Sequence, residues 1–294
     1  IDEPQLIAED VWHDSLRPRL FDKEAPAWFT GTPRGTRSWF YQLWLRGQDK
    51  RQGIYGSWNW PTWENPTIPK AEIEESRASM PERLFKQNIA AEWLSEAASV
   101  FRYIDERSVC EPMCAGNGRN YIIGIDLARV QDYTVCAVFE LPGKNRPRLM
   151  QVHLERMQRV DWAVQERRIA ELATRYNNAL IYVDATGVGD PECERLIRAG
   201  LRVEGVKFTT ITKSQVVDNL ALMLEQDSIQ LLNDEIQKAE LKDYEYTLMP
   251  GGSTRYGAVG EKHDDCVIAC ALAAWGSVSR PTIEAHRFAP ISGW

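Results

Sequence analysis

The sequence predicts an α/β protein made of two compositionally different parts. Apolar runs and amphipathic stretches alternate through the last two thirds in the order βββαβαβα. The first third is instead rich in aromatic residues, with seven of the eleven tryptophans between Trp12 and Trp63. Periodicity fades over 95–118, where CEPMCAGNGRN supplies turn-forming residues. We therefore expect a domain over 1–110, including a linker, and a second domain over 111–294.

Length and composition are those of an ordinary globular protein. The 294 residues are 44% hydrophobic, enough for one large or two medium domains to bury a core. No run approaches the ~20 apolar residues of a membrane span, and the acidic N-terminal segment is unlike a secretory signal. We expect a cytoplasmic protein with no membrane partner. Since the formal net charge is −7, any contact with nucleic acid must be local.

The six cysteines predict free thiols. They are too few for a disulfide framework, and Cys136, Cys266 and Cys270 fall inside apolar runs. Cys110 and Cys114 flank EPM, but a zinc site would need two further ligands, and none is evident nearby.

In the first part, aromatic and apolar spacing predicts short strands and helices. PAWFTGTP is typical of a strand that ends in a turn, and RSWFYQLWLRG of a helix. GIYGSWNWPTWENP predicts a short aromatic strand and a loop. Two helices follow, over Lys70–Ser79 and Pro81–Leu94, the second opened by proline in its first turn.

The second part begins with a predicted antiparallel meander and continues with alternating helices and strands. PGKNRP supplies the turn between the second and third strands, and PGG the turn of a late hairpin, YEYTLMPGGSTRYGAV. The predicted strands are Asn120–Leu127, Tyr133–Leu141, Arg148–Arg156, ALIYVD, Val203–Phe208 and SIQLL, and the predicted helices are Asp161–Tyr176, Pro191–Ala199, Ser214–Gln226, Asn233–Asp243 and Lys262–Gly276.

Acidic residues stand at the ends of three of these elements. Asp126 closes YIIGID, Asp184 closes ALIYVD, and Asp264 and Asp265 open the last helix. A helical crossover before ALIYVD can place Asp184 beside Asp126. Carboxylates gathered from different elements can hold two Mg²⁺ or Mn²⁺ ions that hydrolyse a phosphodiester. Each acid also has a simpler interpretation, as a turn former or a helix cap.

These residues carry a resemblance to a known family. YIIGIDLARVQDYTVCAV, LIYVDATGVGD and EKHDDCVIACALAAW resemble, in order, the three acidic motifs in the nuclease domain of the large terminase subunit of tailed bacteriophages. The resemblance covers about 119–278 and implies an RNase H-like fold, a mixed central sheet flanked by helices. It implies that Asp126, Asp184 and Asp265 are catalytic metal ligands, with Asp264 as an additional or alternate ligand.

The first part resembles the end of the terminase ATPase domain, a P-loop-type α/β unit. IDE is similar to the last residues of a Walker B motif, and FTGTPRG to the motif that couples hydrolysis to movement. In the family, the positions of Asp2 and Glu3 hold the nucleotide's Mg²⁺ and orient the attacking water. No G-x-x-x-x-G-K-[ST] occurs, so we expect a truncated protein or a remnant that does not hydrolyse ATP.

Further residues are candidates by position alone. Lys207, Lys213, Arg255 and Lys262 lie near strand ends or the hairpin and are candidate phosphate contacts, although charged surface residues are usually only solvated. His263 is a candidate for assisting metal binding or proton transfer, and Asp132 for lying near the acids; a cap and a turn are their simpler interpretations. The hairpin around Pro250–Gly252 is a candidate gate for DNA.

The resemblance implies a Mg²⁺- or Mn²⁺-dependent endonuclease that cuts double-stranded DNA during viral genome packaging. It implies action in the host cell cytoplasm, with a portal protein and a small terminase subunit as partners and ATP used only by the complete protein. Two alternatives stay open. One is another RNase H-like nuclease, such as a junction resolvase or recombinase. The other is a non-catalytic packaging-assembly module that binds through the aromatic first third.

Overall fold

A computed structural model shows how these elements assemble. It describes residues 1–36, 38–51, 53–94, 99–127, 133–186, 189–248, 254–258 and 263–278. Within these ranges the helices are α1 Trp39–Gln48, α2 Lys70–Ser79, α3 Glu82–Asn88, α4 Ile104–Arg107, α5 Trp162–Arg175, α6 Gly189–Arg198, α7 Thr210–Glu225, α8 Glu235–Lys242 and α9 Asp265–Val278.

A mixed sheet of seven described strands forms the centre of the second part. Its strands are β1 Ser108–Cys110, β2 Tyr121–Asp126, β3 Tyr133–Glu140, β4 Leu149–Gln158, β5 Leu180–Asp184, β6 Val203–Val206 and β7 Ile229–Leu232. Their order across the sheet is β1-β7-β4-β3-β2-β5-β6. The predicted meander β2–β3–β4 is antiparallel, and β5 lies parallel to β2. The predicted α/β architecture with a mixed sheet is therefore confirmed.

Helices cover both faces of this sheet because its central strands are apolar on both sides. One core contains Val217 and Leu220 of α7 with most of α9, and the other contains Ile169 and Leu172 of α5 with Leu196 of α6. Along β2 the side chains alternate between these cores, as a strand buried on both faces requires.

A very close approach between helix and sheet occurs where α9 crosses β2. A Cβ placed on Gly124 would lie 1.9 Å from the backbone oxygen of Ala269 and 2.6 Å from the backbone nitrogen of Ala273. Only glycine allows the helix backbone so close to the strand. This contact fixes the height of α9 above the sheet and therefore the position of its first turn.

The first part contains fewer strands than the sequence predicts. Within the predicted strand PAWFTGTP, strand-like pairing is limited to one parallel bridge between Thr30 and Asp2. The described residues 53–66 contain no strand, and a short helical turn occupies Thr62–Glu64. Aromatic residues there pack on one another rather than on a neighbouring strand, as the parallel rings of Trp58 and Trp60 show. Helix α2 is confirmed at its predicted bounds, whereas α3 ends at Asn88, earlier than predicted.

The segment before residue 110 contributes to the second part. Strand β1 pairs with β7, and Val100, Phe101 and Ile104 are buried in the core shared with α7 and α9. The predicted boundary at residue 110 therefore lies after residues that already pack in the core of the second part. A separate hairpin pairs β8 Tyr244–Leu248 with β9 Thr254–Ala258, as predicted, and its turn at PGG lies outside the described residues.

Among the residues that the structure describes, we find no helix with the length and hydrophobicity needed to cross a membrane.

Candidate metal centre

Two of the predicted acids end neighbouring parallel strands. Ile125 of β2 is in register with Val183 of β5, so Asp126 and Asp184, the next residues, lie side by side at one edge of the sheet. Asp184 is held in a tight turn because its Oδ1 accepts a hydrogen bond of 2.8 Å from the backbone N–H of Thr186. The crossover through α5 thus has the effect that the sequence predicts.

The other two acids approach the same edge from α9. Asp265 is the first residue of the helix and is buried, whereas Asp264 precedes it and is half-buried. The approach of α9 to Gly124 places this first turn over the carboxyl end of β2. Asp265 Oδ2 faces β3, where the backbone N–H of Tyr133 donates to it at 3.4 Å.

The four acids share one electrostatic environment. Burial raises the pKa of Asp126 well above its ordinary value, and repulsion from Asp265, Asp264 and Asp184 raises it further. Burial also raises the pKa of Asp265 to about 6, with a contribution from Glu240. The acids are therefore near enough for each to oppose ionisation of Asp126. The described residues nevertheless contain no three His, Cys, Asp or Glu side chains arranged closely enough to hold a metal ion.

Two lysines among the predicted phosphate contacts have different surroundings. Lys213 of α7 lies 3.5 Å from Asp264 Oδ2, and both side chains are about one third exposed. Its charge also lowers the pKa of Asp126, against the effect of the neighbouring acids. Lys207 is exposed after β6, and its backbone oxygen accepts a hydrogen bond of 3.0 Å from Thr212.

Other predicted site residues fall partly or wholly outside the described structure. Arg255 lies on β9 opposite Thr247, but its side chain is not among the described atoms. Lys262 and Asp132 lie outside the described residues. His263 is described, and its Nδ1 lies 3.6 Å from Asp265 Oδ2.

Asp2 and Glu3, which resemble the end of a Walker B motif, contact the FTGTPRG segment. Asp2 Oδ1 accepts a hydrogen bond of 2.8 Å from the Thr30 hydroxyl, and the backbone N–H of Glu3 donates to the Thr30 oxygen at 2.7 Å. The two motifs that resemble ATPase sequences are thus neighbours in space.

Sequence reasoning missed Glu240, which lies beside the first turn of α9. Its carboxylate is buried and accepts a hydrogen bond of 2.8 Å from the backbone N–H of Cys266. Its segment, KAELK, has the pattern of a surface helix, and nothing in it predicts a buried acid.

The chemistry of the four side chains, although not yet their spacing, suits a divalent cation. All four aspartates offer hard oxygen ligands, and they come from two strand ends and one helix start, as such sites require. Among the described residues, Lys213 is a cation paired with this group of acids. Burial, and then repulsion from the other three acids, raises the pKa of Asp126, and a nearby positive charge opposes that change, as Lys213 does.

Comparison with known proteins shows similarity to viral terminases. Residues 123–274 match the family model described as the terminase RNaseH-like domain. The large terminase subunits of Thermus virus P23-45 and Thermus phage G20c are each 29% identical over 299 aligned residues, which cover 93% of this chain and 60% of the relative. The chain thus spans about 60% of the length of these curated relatives.

Solved structures agree with this match. The large terminase nuclease from thermophilic phage G20c is 28% identical, with a TM-score of 0.56 over 60% of this chain and 98% of that one. The same nuclease with bound magnesium is 29% identical, also with a TM-score of 0.56, over 60% of this chain and 97% of that one. A large terminase from another thermophilic bacteriophage shares the fold at 14% identity, with a TM-score of 0.63 over 93% of this chain and 67% of that one.

Proposed function

The chain belongs to the terminase RNaseH-like domain family, and from that membership we propose that it is a metal-dependent endonuclease that cuts double-stranded DNA during viral genome packaging. The observation that carries the proposal is the meeting of four acids at one sheet edge. Asp126 and Asp184 end adjacent parallel strands, and Asp264 and Asp265 begin the helix that crosses them. Their proximity is also seen in the pKa of Asp126, which burial and then repulsion from the other three acids raise.

We propose Mg²⁺ or Mn²⁺ as the cofactor, held at a two-ion site by Asp126, Asp184, Asp264 and Asp265. Structures of the G20c nuclease with bound magnesium, cobalt and zinc support a divalent cation. Two such ions, when bound, activate a water and stabilise the leaving oxygen of a phosphodiester. The carboxylates must draw closer to hold them, and the attraction to the cations offsets the repulsion among the acids.

Two sets of residues would act in the reaction, one as metal ligands and the other as contacts to DNA. Asp126, Asp184 and Asp265 are the proposed catalytic ligands, and they come from the ends of two adjacent strands and the start of α9. We propose that Lys207, Lys213, Arg255 and Lys262 contact the DNA backbone, because cationic side chains near such a site can bind phosphates. Lys213 already lies at the acids, where it can contact a phosphate next to the metal ions.

Genome packaging also requires partners. We propose that the protein acts in the host cell cytoplasm with a portal protein and a small terminase subunit, and that ATP serves only a complete large subunit. We propose that Asp2 and Glu3 correspond to the Walker B residues of an ATPase site. Because the sequence contains no phosphate-binding loop, we expect no ATP hydrolysis from this chain.

Nicking of supercoiled plasmid with Mn²⁺ tests the proposal. We expect the wild-type protein to relax and linearise the plasmid, EDTA to stop it, and Asp126→Asn to lower the rate by at least about 10³-fold, since a direct metal ligand is lost. Asp161→Asn is the matched control, because Asp161 is an exposed cap of α5 and asparagine also caps helices. Wild-type protein without activity would favour a non-catalytic assembly module, and full activity in Asp126→Asn would reject the site.

A further inference from the structure

Glu240 is a buried acid that the proposed metal ligands do not include. It lies on α8, and only 7% of its surface is exposed. A buried carboxylate is unfavourable unless hydrogen bonds and opposite charges compensate for its lost hydration. The contacts of Glu240 therefore show what keeps it in place.

Both carboxylate oxygens of Glu240 already have donors. Oε2 accepts a hydrogen bond of 2.8 Å from the backbone N–H of Cys266, in the first turn of α9. Oε1 accepts from Arg156 of β4 at 3.5 Å. The first N–H groups of a helix have no partner within the helix, so Glu240 serves as a cap supplied by a different element. These bonds leave the carboxylate directed at the helix start rather than free to bind an ion.

A closed set of contacts connects Glu240 to Asp265. The Arg156 guanidinium lies over the ring of Tyr133, 4.3 Å from its centroid. The backbone N–H of Tyr133 donates to Asp265 Oδ2 at 3.4 Å. Asp265 precedes Cys266 in the chain, and the backbone N–H of Cys266 donates to Glu240. These contacts connect the Glu240 carboxylate to Asp265 from two sides, through Cys266 and through Arg156 and Tyr133.

We propose that Glu240 is a positioning residue for the metal centre, which holds the first turn of α9 and, with Arg156, sets the orientation of Asp265. This inference rests on the proposed metal-dependent nuclease function. Residues that hydrogen-bond behind metal ligands fix the ligand's orientation, and their loss typically weakens metal binding 10–100-fold.

Two variants separate the hydrogen bond from the charge. Glu240→Ala removes both, so we expect Mn²⁺ affinity, measured by calorimetric titration of the whole 294-residue chain, to fall by about 10–100-fold. Glu240→Gln keeps an acceptor for Cys266 but places an amide near Arg156, so we expect a smaller loss, roughly three- to tenfold, that partly rescues the alanine variant. Glu235→Ala is the matched control, because Glu235 lies on the same helix with an exposed side chain.

Circular dichroism establishes that each variant is folded before titration. If Glu240→Ala does not fold, Glu240→Gln decides alone, and wild-type affinity in that variant would overturn the proposal. Wild-type affinity in both variants would also overturn it, as would an equal loss in Glu235→Ala. Asp126→Asn is titrated in parallel. Absence of Mn²⁺ binding by the wild type, or unchanged binding by Asp126→Asn, would instead contradict the proposed function.

Discussion

At the scale of single residues, four ordinary aspartates become a candidate metal site because the fold brings them together. Asp126 ends a strand, as many turn-forming aspartates do, and only the other acids around it distinguish it. Burial and three other acids raise its pKa, and the same four carboxylates supply the oxygen ligands that a divalent cation prefers. The sequence predicts all four acids, because each ends or begins an apolar run.

The residues that support those acids are less visible in the sequence. Glu240 is missed because a glutamate in an amphipathic helix is usually solvated, and its burial depends on how α8 packs against α9. Lys213 is predicted as a phosphate contact, but its 3.5 Å distance to Asp264 depends on the packing of α7. Such contacts join residues far apart in the chain, and local patterns carry no information about them.

If the acids bind a cation as proposed, Lys213 is positioned to compete with it. Replacement by methionine removes a charge beside Asp264 and keeps most of the apolar side chain, so we expect Mn²⁺ to bind roughly two- to fivefold more tightly, equivalent to about 0.5–1 kcal/mol for a partly exposed pair. Calorimetric titration measures this. Plasmid cleavage should fall in the same variant if Lys213 contacts phosphate. Lys242→Met, at an exposed lysine paired with Asp105, is the control, and equal affinity in both variants would exclude the competition.

At the scale of elements, one glycine sets the position of the helix that carries two of the acids. Helix α9 crosses β2 at Gly124, where its backbone lies closer than any side chain would allow. The sequence predicts β2 and α9 separately, because each has the hydrophobic periodicity of its own element. The crossing point is not predicted, since a glycine inside a strand indicates a close approach without identifying the partner.

Gly124→Ala tests this packing. The added methyl group would meet helix backbone, which cannot turn aside as a side chain can, so we expect a loss of about 1–3 kcal/mol in the free energy of unfolding. Urea denaturation measures the loss. Gly257→Ala provides a control in another strand, because an added Cβ there has no described atom within 4 Å. Equal stability of the two variants would contradict the close packing of α9 on β2.

Element boundaries show where local signals suffice. Helix α2 forms at its predicted bounds, and α7 begins at Thr210, one turn before the predicted Ser214. The earlier start results from reciprocal hydrogen bonds between Thr209 and Thr212, a capping box with threonine where glutamate is usual. The predicted aromatic strand of 53–66 does not form, since β propensity depends on a neighbouring strand to pack against.

At the scale of the whole molecule, a largely buried ion pair joins the first third to the second part. Arg83 of α3 pairs with Asp218 of α7 and donates to the Tyr256 hydroxyl of β9 at 2.8 Å. Burial raises the pKa of Asp218 even though Arg83 opposes that change. Sequence alone does not predict this link, because 135 positions separate the paired charges.

Arg83→Met tests the strength of the link. It leaves Asp218 buried without its cation, and we expect the free energy of unfolding to fall by about 3–5 kcal/mol, measured with guanidinium chloride. The double variant Arg83→Met with Asp218→Asn removes both charges and should recover part of the loss. A double variant as unstable as the sum of its single variants would show that the two side chains contribute independently.

The proposed function requires Asp126, Asp184, Asp264 and Asp265 to bind metal ions together at one centre. A crystal of the protein soaked in Mn²⁺ and measured at the manganese absorption edge tests it most directly. We expect anomalous density between the two strand ends and the start of α9, with carboxylate oxygens about 2.0–2.3 Å from each ion. Density elsewhere in a fully soaked crystal, with none among these four acids, would contradict the existence of this centre.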